Sequence, residues 1–244
     1  DRVIENIADE IELTLSAEQE VELRQSEKIN PAAYEAYVIG RHNLSLFTPN
    51  ELKMSLQYFE KALEIDKDFA LAYLGISDAW YALYQIGVYP PTDPEPMKKM
   101  YTALTSALAL NDKLEQGHYT LGSLKASVDW DFEGALAEYN KANAINPNYA
   151  DLYSARSNLL AIMFRLDEAV EDANTAISLD PQNLFTRFLY GATMVFARRY
   201  DDAISTFKEI LLFDPDNFLA LQMMPFAYHM KGEYNEELNY WRSF

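Results

Sequence analysis

The chain has 244 residues, 49% of them hydrophobic and 24% charged, with 8 Gly and 10 Pro, a composition that leaves no room for a linker-like or disordered tract. Against 20 Lys and Arg stand 38 Asp and Glu, and the net charge of -18 disfavours nucleic acid or an anionic membrane surface as a partner of this segment. The lack of cysteine excludes disulfides, thiolate metal sites and thiol catalysis, and no apolar run reaches the roughly 18 to 20 residues of a membrane span.

Taken in chain order, residues 1–30 come first. Val3, Ile4, Ile7, Ile11 and Leu15 follow helical spacing, and Ser16 has the character of an N-cap with Glu20 in the short helix after it. Residues 1–30 are therefore expected to be helical, with one face that needs a partner. Asp1-Arg2-Val3 is neither a Met start nor a signal peptide, so the chain is expected to be a piece of something longer. Cysteine usage suits a reducing cytosol and a cysteine-poor periplasmic protein alike. A cytoplasmic location is expected, or a periplasmic one if the intact protein carries a membrane span upstream.

From residue 31 one motif returns. It reads Lys61-Ala62-Leu63-Glu64-Ile65-Asp66, Ser106-Ala107-Leu108-Ala109-Leu110-Asn111, Lys141-Ala142-Asn143-Ala144-Ile145-Asn146, Thr175-Ala176-Ile177-Ser178-Leu179-Asp180 and Glu209-Ile210-Leu211-Leu212-Phe213-Asp214. Ahead of each copy lies a second helical pattern with a small residue where backbones approach: Gly40, Ser77, Gly122, Ser157 and Gly191. Each unit thus reads as helix, turn, helix. The units run 31–67, 68–112, 113–147, 148–181, 182–215 and an incomplete 216–244. Ala62, Ala107, Ala142, Ala176 and Ile210 are separated by 45, 35, 34 and 34 residues, so the first two intervals contain insertions. The largest lies in unit two, from Ile86 to Pro96, either a functional loop or a stiff cover over the edge of units two and three. Pro147, Pro181 and Pro215 follow the closing Asp or Asn, a placement suited to the first turn of the next helix. Pro225 falls where unit six should carry its small residue, which predicts a kinked or late-starting helix.

Gly191 with Tyr190, then Tyr200, Ala203, Phe207 and Pro215, resembles the spaced pattern of the tetratricopeptide repeat family, as do Leu166, Ala169, Ala176 and Pro181 one unit earlier. The resemblance covers about residues 31–244. It implies an all-α fold, a right-handed α-α superhelix of about five full helix-turn-helix units plus a partial sixth, and a protein that binds other polypeptides rather than an enzyme. Unit one departs from the pattern at Ser55 and Lys67. The segment from Asp1 to Ile11, with Leu15-Ser16-Ala17-Glu18, is similar to the bridging helix that precedes such repeats in bacterial signalling proteins, which implies bridging helices over residues 1–30, and the Asn30-to-Tyr37 run, the Val88-to-Pro91 loop and Asp129-Trp130-Asp131 resemble the same subgroup. There such repeats follow winged-helix regulators, nucleotide cyclases or protein kinases, which implies an output domain upstream.

Chemistry is sparse. No Gly-x-x-x-x-Gly-Lys or Gly-x-Gly-x-x-Gly pattern could cradle phosphates, and no cofactor is expected. His42, His118 and His229 stand in different units without metal-ligand spacing, and the many carboxylates read as a solvated surface. No catalytic or metal site is expected.

In this family the first helix of each unit lines the inner surface, which repeat proteins use for binding. The inward set, aligned on the small residues, is Tyr37, Arg41, Leu74, Asp78, Tyr81, Tyr119, Ser123, Asp151, Ser154, Asn158, Phe185, Phe188, Ala192, Leu219, Gln222 and Phe226. Asp78, Ser123, Asp151, Ser154 and Asn158 offer short polar groups for a peptide backbone, and Tyr37, Tyr81 and Tyr119 rigid contact area. Arg41 is the only cation in the set, so the basic clamp with which some family members hold a C-terminal carboxylate is missing. Phe185, Phe188, Leu219 and Phe226 form an apolar stretch that suits a partner, a further helix or a homodimer. A protein or peptide is the expected partner, the missing output domain included. A free-standing or exported adaptor and a carbohydrate-binding module are the alternatives. Met163, Phe164, Phe196 and Phe207 are expected in the core between helices.

Overall fold

The computed structural model describes residues 30–90 and 92–242, so the expected bridging segment before residue 30 lies outside the described residues. Those residues form twelve α-helices and no strand: α1 (Pro31–Ser45), α2 (Pro49–Ile65), α3 (Ala70–Gln85), α4 (Glu95–Leu110), α5 (Glu115–Leu124), α6 (Phe132–Ile145), α7 (Ala150–Ile162), α8 (Leu166–Leu179), α9 (Leu184–Phe196), α10 (Tyr200–Phe213), α11 (Phe218–Lys231) and α12 (Tyr234–Arg242). A π-helical turn, Lys125–Asp129, extends α5. Each odd-numbered helix and its successor make one hairpin, giving about six helix-turn-helix repeats, the tetratricopeptide architecture. The chain divides into two compact units, Asp1–Gly117 and His118–Phe244.

In the first three copies of the repeat motif the closing Asp or Asn ends the second helix with a local hydrogen bond. Asp66, Asn111 and Asn146 adopt extended backbone angles, and their side-chain Oδ1 atoms accept from the N–H of Asp68, Lys113 and Asn148 at 3.1, 2.9 and 3.0 Å. Such a turn competes with the helix for the backbone and stops it. The prolines therefore act one step earlier than the sequence predicts. Pro147, Pro181 and Pro215 sit in the connecting turns, and the next helices begin at Ala150, Leu184 and Phe218. Asn183 and Asn217 cap two of these, accepting from Phe185 and Thr186 and from Ala220.

Within the hairpins of the second unit, the turn between helices repeats every 34 residues at Trp130, Phe164, Arg198 and Gly232, all with positive φ (57°, 59°, 60° and 87°). Three of the four are not glycine, although the left-handed region costs an ordinary residue about 1–2 kcal/mol. This turn overturns the core placement of Phe164, which is 83% exposed because its backbone points the ring away from the helix pair. Phe196, one residue past the buried Val195, is 48% exposed, whereas Phe207 is fully buried as expected. Phe164→Gly is expected to stabilise the chain by about 0.5–1 kcal/mol, the relief of the left-handed strain less the entropy of glycine. A lowered thermal midpoint in a melt followed by circular dichroism would count against it.

The core of the first unit is built on Phe59. It is fully buried beneath the two first helices: a Cβ on Gly40 would stand 2.5 Å from its Cε1, and one on Gly75 2.6 Å. Glycine at both positions lets α1 and α3 close on the ring. The insertion is a cover: Ile86, Val88 and Tyr89 pack on the Leu52, Phe59 and Leu83 cluster of repeats one and two, rather than on units two and three. Tyr89 meets Trp80 at 5.5 Å between centroids, and Lys99 Nζ stands 4.3 Å over the Trp80 ring.

The second unit repeats the device with Gly191 over Phe207. At Ser157, where α7 carries Ser instead of Gly, the hydroxyl is satisfied by Ala169 O at 2.9 Å and Thr193 Oγ1 at 2.8 Å, tying α7 to α8 and α9. Helix α11 starts at Phe218 and runs on through Pro225 to Lys231, so of the two expected outcomes, a kink or a late start, the late start does not occur. Pro225 is buried and has no N–H to give to the helical ladder.

Candidate functional site

In the first unit, α1 packs on α3, and the register brings two of their inward positions, Arg41 and Asp78, together with Gln116 at the start of α5. Arg41 Nη1 donates to Asp78 Oδ2 at 3.0 Å, and Gln116 Nε2 donates to the same oxygen at 3.1 Å. Gln116 lies outside the inward set drawn from the sequence, although it occupies the register position of Asp151 and Phe185 in later repeats. Tyr81 is 37% exposed on the next turn of α3. Tyr37 is turned into the core, its ring 5.8 Å from Phe59 and 5.3 Å from Phe69, and burial pushes its hydroxyl pKa up. Leu74 is buried as well.

Burial pushes the Asp78 carboxyl from 3.8 up to about 6, and the charge and hydrogen bond of Arg41 and the hydrogen bond of Gln116 pull it down less strongly. The folded chain therefore binds a proton that the unfolded chain has already released across that window, so this group's contribution to stability falls as pH rises through about 6. Asp78→Asn keeps an acceptor for Arg41 but cannot ionise. It is expected to flatten the stability profile between about pH 4 and 7 by about 1–3 kcal/mol, read from urea unfolding at each pH. A slope equal to that of the parent chain would refute it.

In the second unit, Tyr119 is half-buried against Tyr149 and Tyr139, 5.2 and 6.2 Å between centroids. Ser123 Oγ shares a hydrogen bond of 3.1 Å with the Tyr139 hydroxyl. Asp151 is exposed, Ser154 is buried with no hydrogen-bond partner for its Oγ among the described residues, and Asn158 is half-buried. On α9, Phe185 is 58% exposed and stacks on Phe188 at 6.2 Å and 25°, while Phe188 leans on Phe207 and Ala192 is buried. On α11, Gln222 is exposed, Phe226 is 47% exposed and Leu219 is half-buried. Helices α7, α9 and α11 pack in succession, so these positions share one face of the unit.

Two ionic groups of the second unit brace the helices. Glu138 accepts from His118 at 2.7 Å, Lys125 at 3.2 Å and Lys141 at 3.1 Å. Burial alone would raise its pKa, but these three donors outweigh it and hold the carboxyl below the usual range. Arg156 grips Asp172 through Nε at 2.6 Å and Nη2 at 2.8 Å, and reaches Asn140 at 3.0 Å. Among the described residues no group of three or more His, Cys, Asp or Glu could hold a metal ion.

Comparison with known proteins agrees with this architecture. The tetratricopeptide repeat family model matches residues 150–183, the α7–α8 hairpin with the turn that follows it. The transcriptional regulator HilA of Salmonella typhimurium is 24% identical over 203 residues, 81% of this chain and 35% of that protein. The chain thus spans about a third of that regulator's length. Human tetratricopeptide repeat protein 28 is 33% identical over 99 residues, 41% of this chain and 4% of that protein. Among solved structures, PilW, a type IV pilus biogenesis factor, superposes with a TM-score of 0.71 at 15% identity, covering 86% of this chain and 91% of PilW. YrrB, described as a tetratricopeptide protein with an unusual peptide-binding site, gives 0.52 at 22% identity, covering 85% and 97%. The fold is that of tetratricopeptide repeat proteins.

Proposed function

We propose that this chain is a binding scaffold whose first helices take a protein or peptide segment, and that it serves as the regulatory arm of a larger bacterial regulator. The observation that carries the binding reading is the exposure of Phe185 and Phe226, 58% and 47%, at inward positions of α9 and α11. Large aromatic rings left open beside short polar groups are what a contact surface needs: apolar area near its centre and hydrogen-bonding groups to fix register. Similarity to HilA over 81% of the chain supports the regulatory reading, as does the likeness of residues 1–18 to the bridging segment of bacterial signalling proteins.

The two parts are tested separately. A photoreactive residue at position 226 should cross-link in cells to a defined partner segment, identified by mass spectrometry. The same group at exposed Leu212, on the second helix of its hairpin, should not. Equal labelling at both positions would sink the binding reading. Sequencing the coding region upstream of Asp1 tests the regulatory part: a winged helix, cyclase or kinase supports it. A leader or lipid anchor directly before Asp1 would instead support an exported adaptor.

A further inference from the structure

Asp151 opens the inward face of α7, and Phe185 occupies the same place on α9, 34 residues later. Asp180, at the end of α8, is near enough to Asp151 for its charge to act with burial in raising the Asp151 carboxyl pKa. Neither carboxylate has a cationic partner among the described residues. The basic residues nearest to them in sequence are committed elsewhere: Arg156 grips Asp172 at 2.6 and 2.8 Å, and Arg187 donates to Pro181 O at 2.8 Å and to Glu209 at 2.7 Å. Ser154, one turn along α7 on the face of Asp151, is 5% exposed and its hydroxyl has no partner among the described residues. A buried hydroxyl in that state costs about 1–3 kcal/mol until something hydrogen-bonds it.

Together these features describe a surface with two unneutralised like charges, an unsatisfied hydroxyl beside them, and a stacked, half-open pair of phenyl rings. From this we infer that the inward face of the second unit takes a segment with a lysine or arginine next to large apolar side chains. The cation sits at Asp151 and Asp180, and the apolar groups lie on Phe185 and Phe188. The cation cancels the repulsion between the carboxylates, and a backbone or side-chain group of the segment satisfies Ser154. An acidic segment is rejected by the same charges, which gives selectivity as well as affinity. The inference rests on the binding reading above and adds the chemistry of the partner.

The test uses the full chain and two capped peptides of equal length, alternating leucine and phenylalanine with lysine in one and with glutamate in the other. Binding is read by fluorescence anisotropy at about 0.05 M and about 0.5 M salt. The lysine peptide should bind about tenfold or more tighter at low salt. The pair Asp151→Asn with Asp180→Asn should abolish most of that preference. Glu60→Gln with Glu64→Gln removes the same two charges from exposed positions on α2 and should leave it. Phe185→Ala should weaken binding of the lysine peptide at both salt concentrations.

An equal loss in the two charge variants would mean that only the overall negative charge attracts the peptide, and would overturn the inference. So would equal affinity for both peptides, with the binding reading intact if Phe185→Ala still weakened them. Binding that ignores Phe185→Ala and the Asp151 pair alike would remove the binding reading for this face as well.

Discussion

Phe59→Ala should cost about 3–5 kcal/mol, the usual loss when a buried phenyl ring leaves a cavity its surroundings cannot fill. The ring is fully buried, and the chains on either side of it cannot collapse inward because Gly40 and Gly75 have already brought α1 and α3 to closest approach. The loss should be confined to the first unit. Trp80 is the one tryptophan of that unit and is half-buried beside Tyr89, whereas Trp130 and Trp241 are exposed in the second. Urea unfolding followed by Trp80 fluorescence, with Trp130 and Trp241 replaced by Phe, isolates it. Adding Gly75→Ala to the alanine variant should restore part of the stability, although the same change in the parent chain overpacks the ring and costs about 1–3 kcal/mol. A cost below about 1 kcal/mol for Phe59→Ala would mean that this ring is not the centre of the unit.

Arg156→Ala should be nearly as damaging to the second unit, about 3 kcal/mol. Arg156 and Asp172 have side chains 14% and 10% exposed, and the guanidinium meets the carboxylate in a two-pronged contact between α7 and α8. Removing the cation leaves a desolvated charge without its partner. That penalty, rather than the attraction itself, is the larger part of the effect. Replacing both, Arg156→Met with Asp172→Leu, should therefore recover most of the loss, and the pair should be insensitive to salt, unlike the exposed contact of Arg165 with Glu168. Chemical denaturation monitored by far-ultraviolet circular dichroism measures both. If the double variant is no more stable than Arg156→Ala, the account of an unpaired buried charge is wrong.

The repeat architecture was legible because it is periodic: the motif closing at Asp66, Asn111, Asn146, Asp180 and Asp214 needs only local hydrogen bonding and helical spacing to be read. The small residues were legible too, since Gly40 and Gly191 reserve the space that Phe59 and Phe207 fill. The inward face was legible as a register but not as a surface. Tyr37 and Leu74 belong to the register and are turned into the core, while Gln116 does not belong to the set drawn and yet joins Asp78. A rotation of a helix by a fraction of a turn decides between those outcomes, and hydrophobicity alone does not fix it for tyrosine, whose ring suits core and surface alike.

By itself the sequence determined the all-helical class, the 34-residue period, the ends of the second helices and the absence of cysteine chemistry, because each depends on residues near one another along the chain. The tertiary structure decided which polar groups meet: Arg41 and Gln116 on Asp78, His118 and two lysines on Glu138, and Arg156 on Asp172. It also decided that Phe164 stands in solvent and that Ile86, Val88 and Tyr89 close over the first two repeats. Those outcomes depend on how helices up to 38 positions apart are rotated and spaced when they pack, and that is set by the summed fit of many side chains rather than by any one motif.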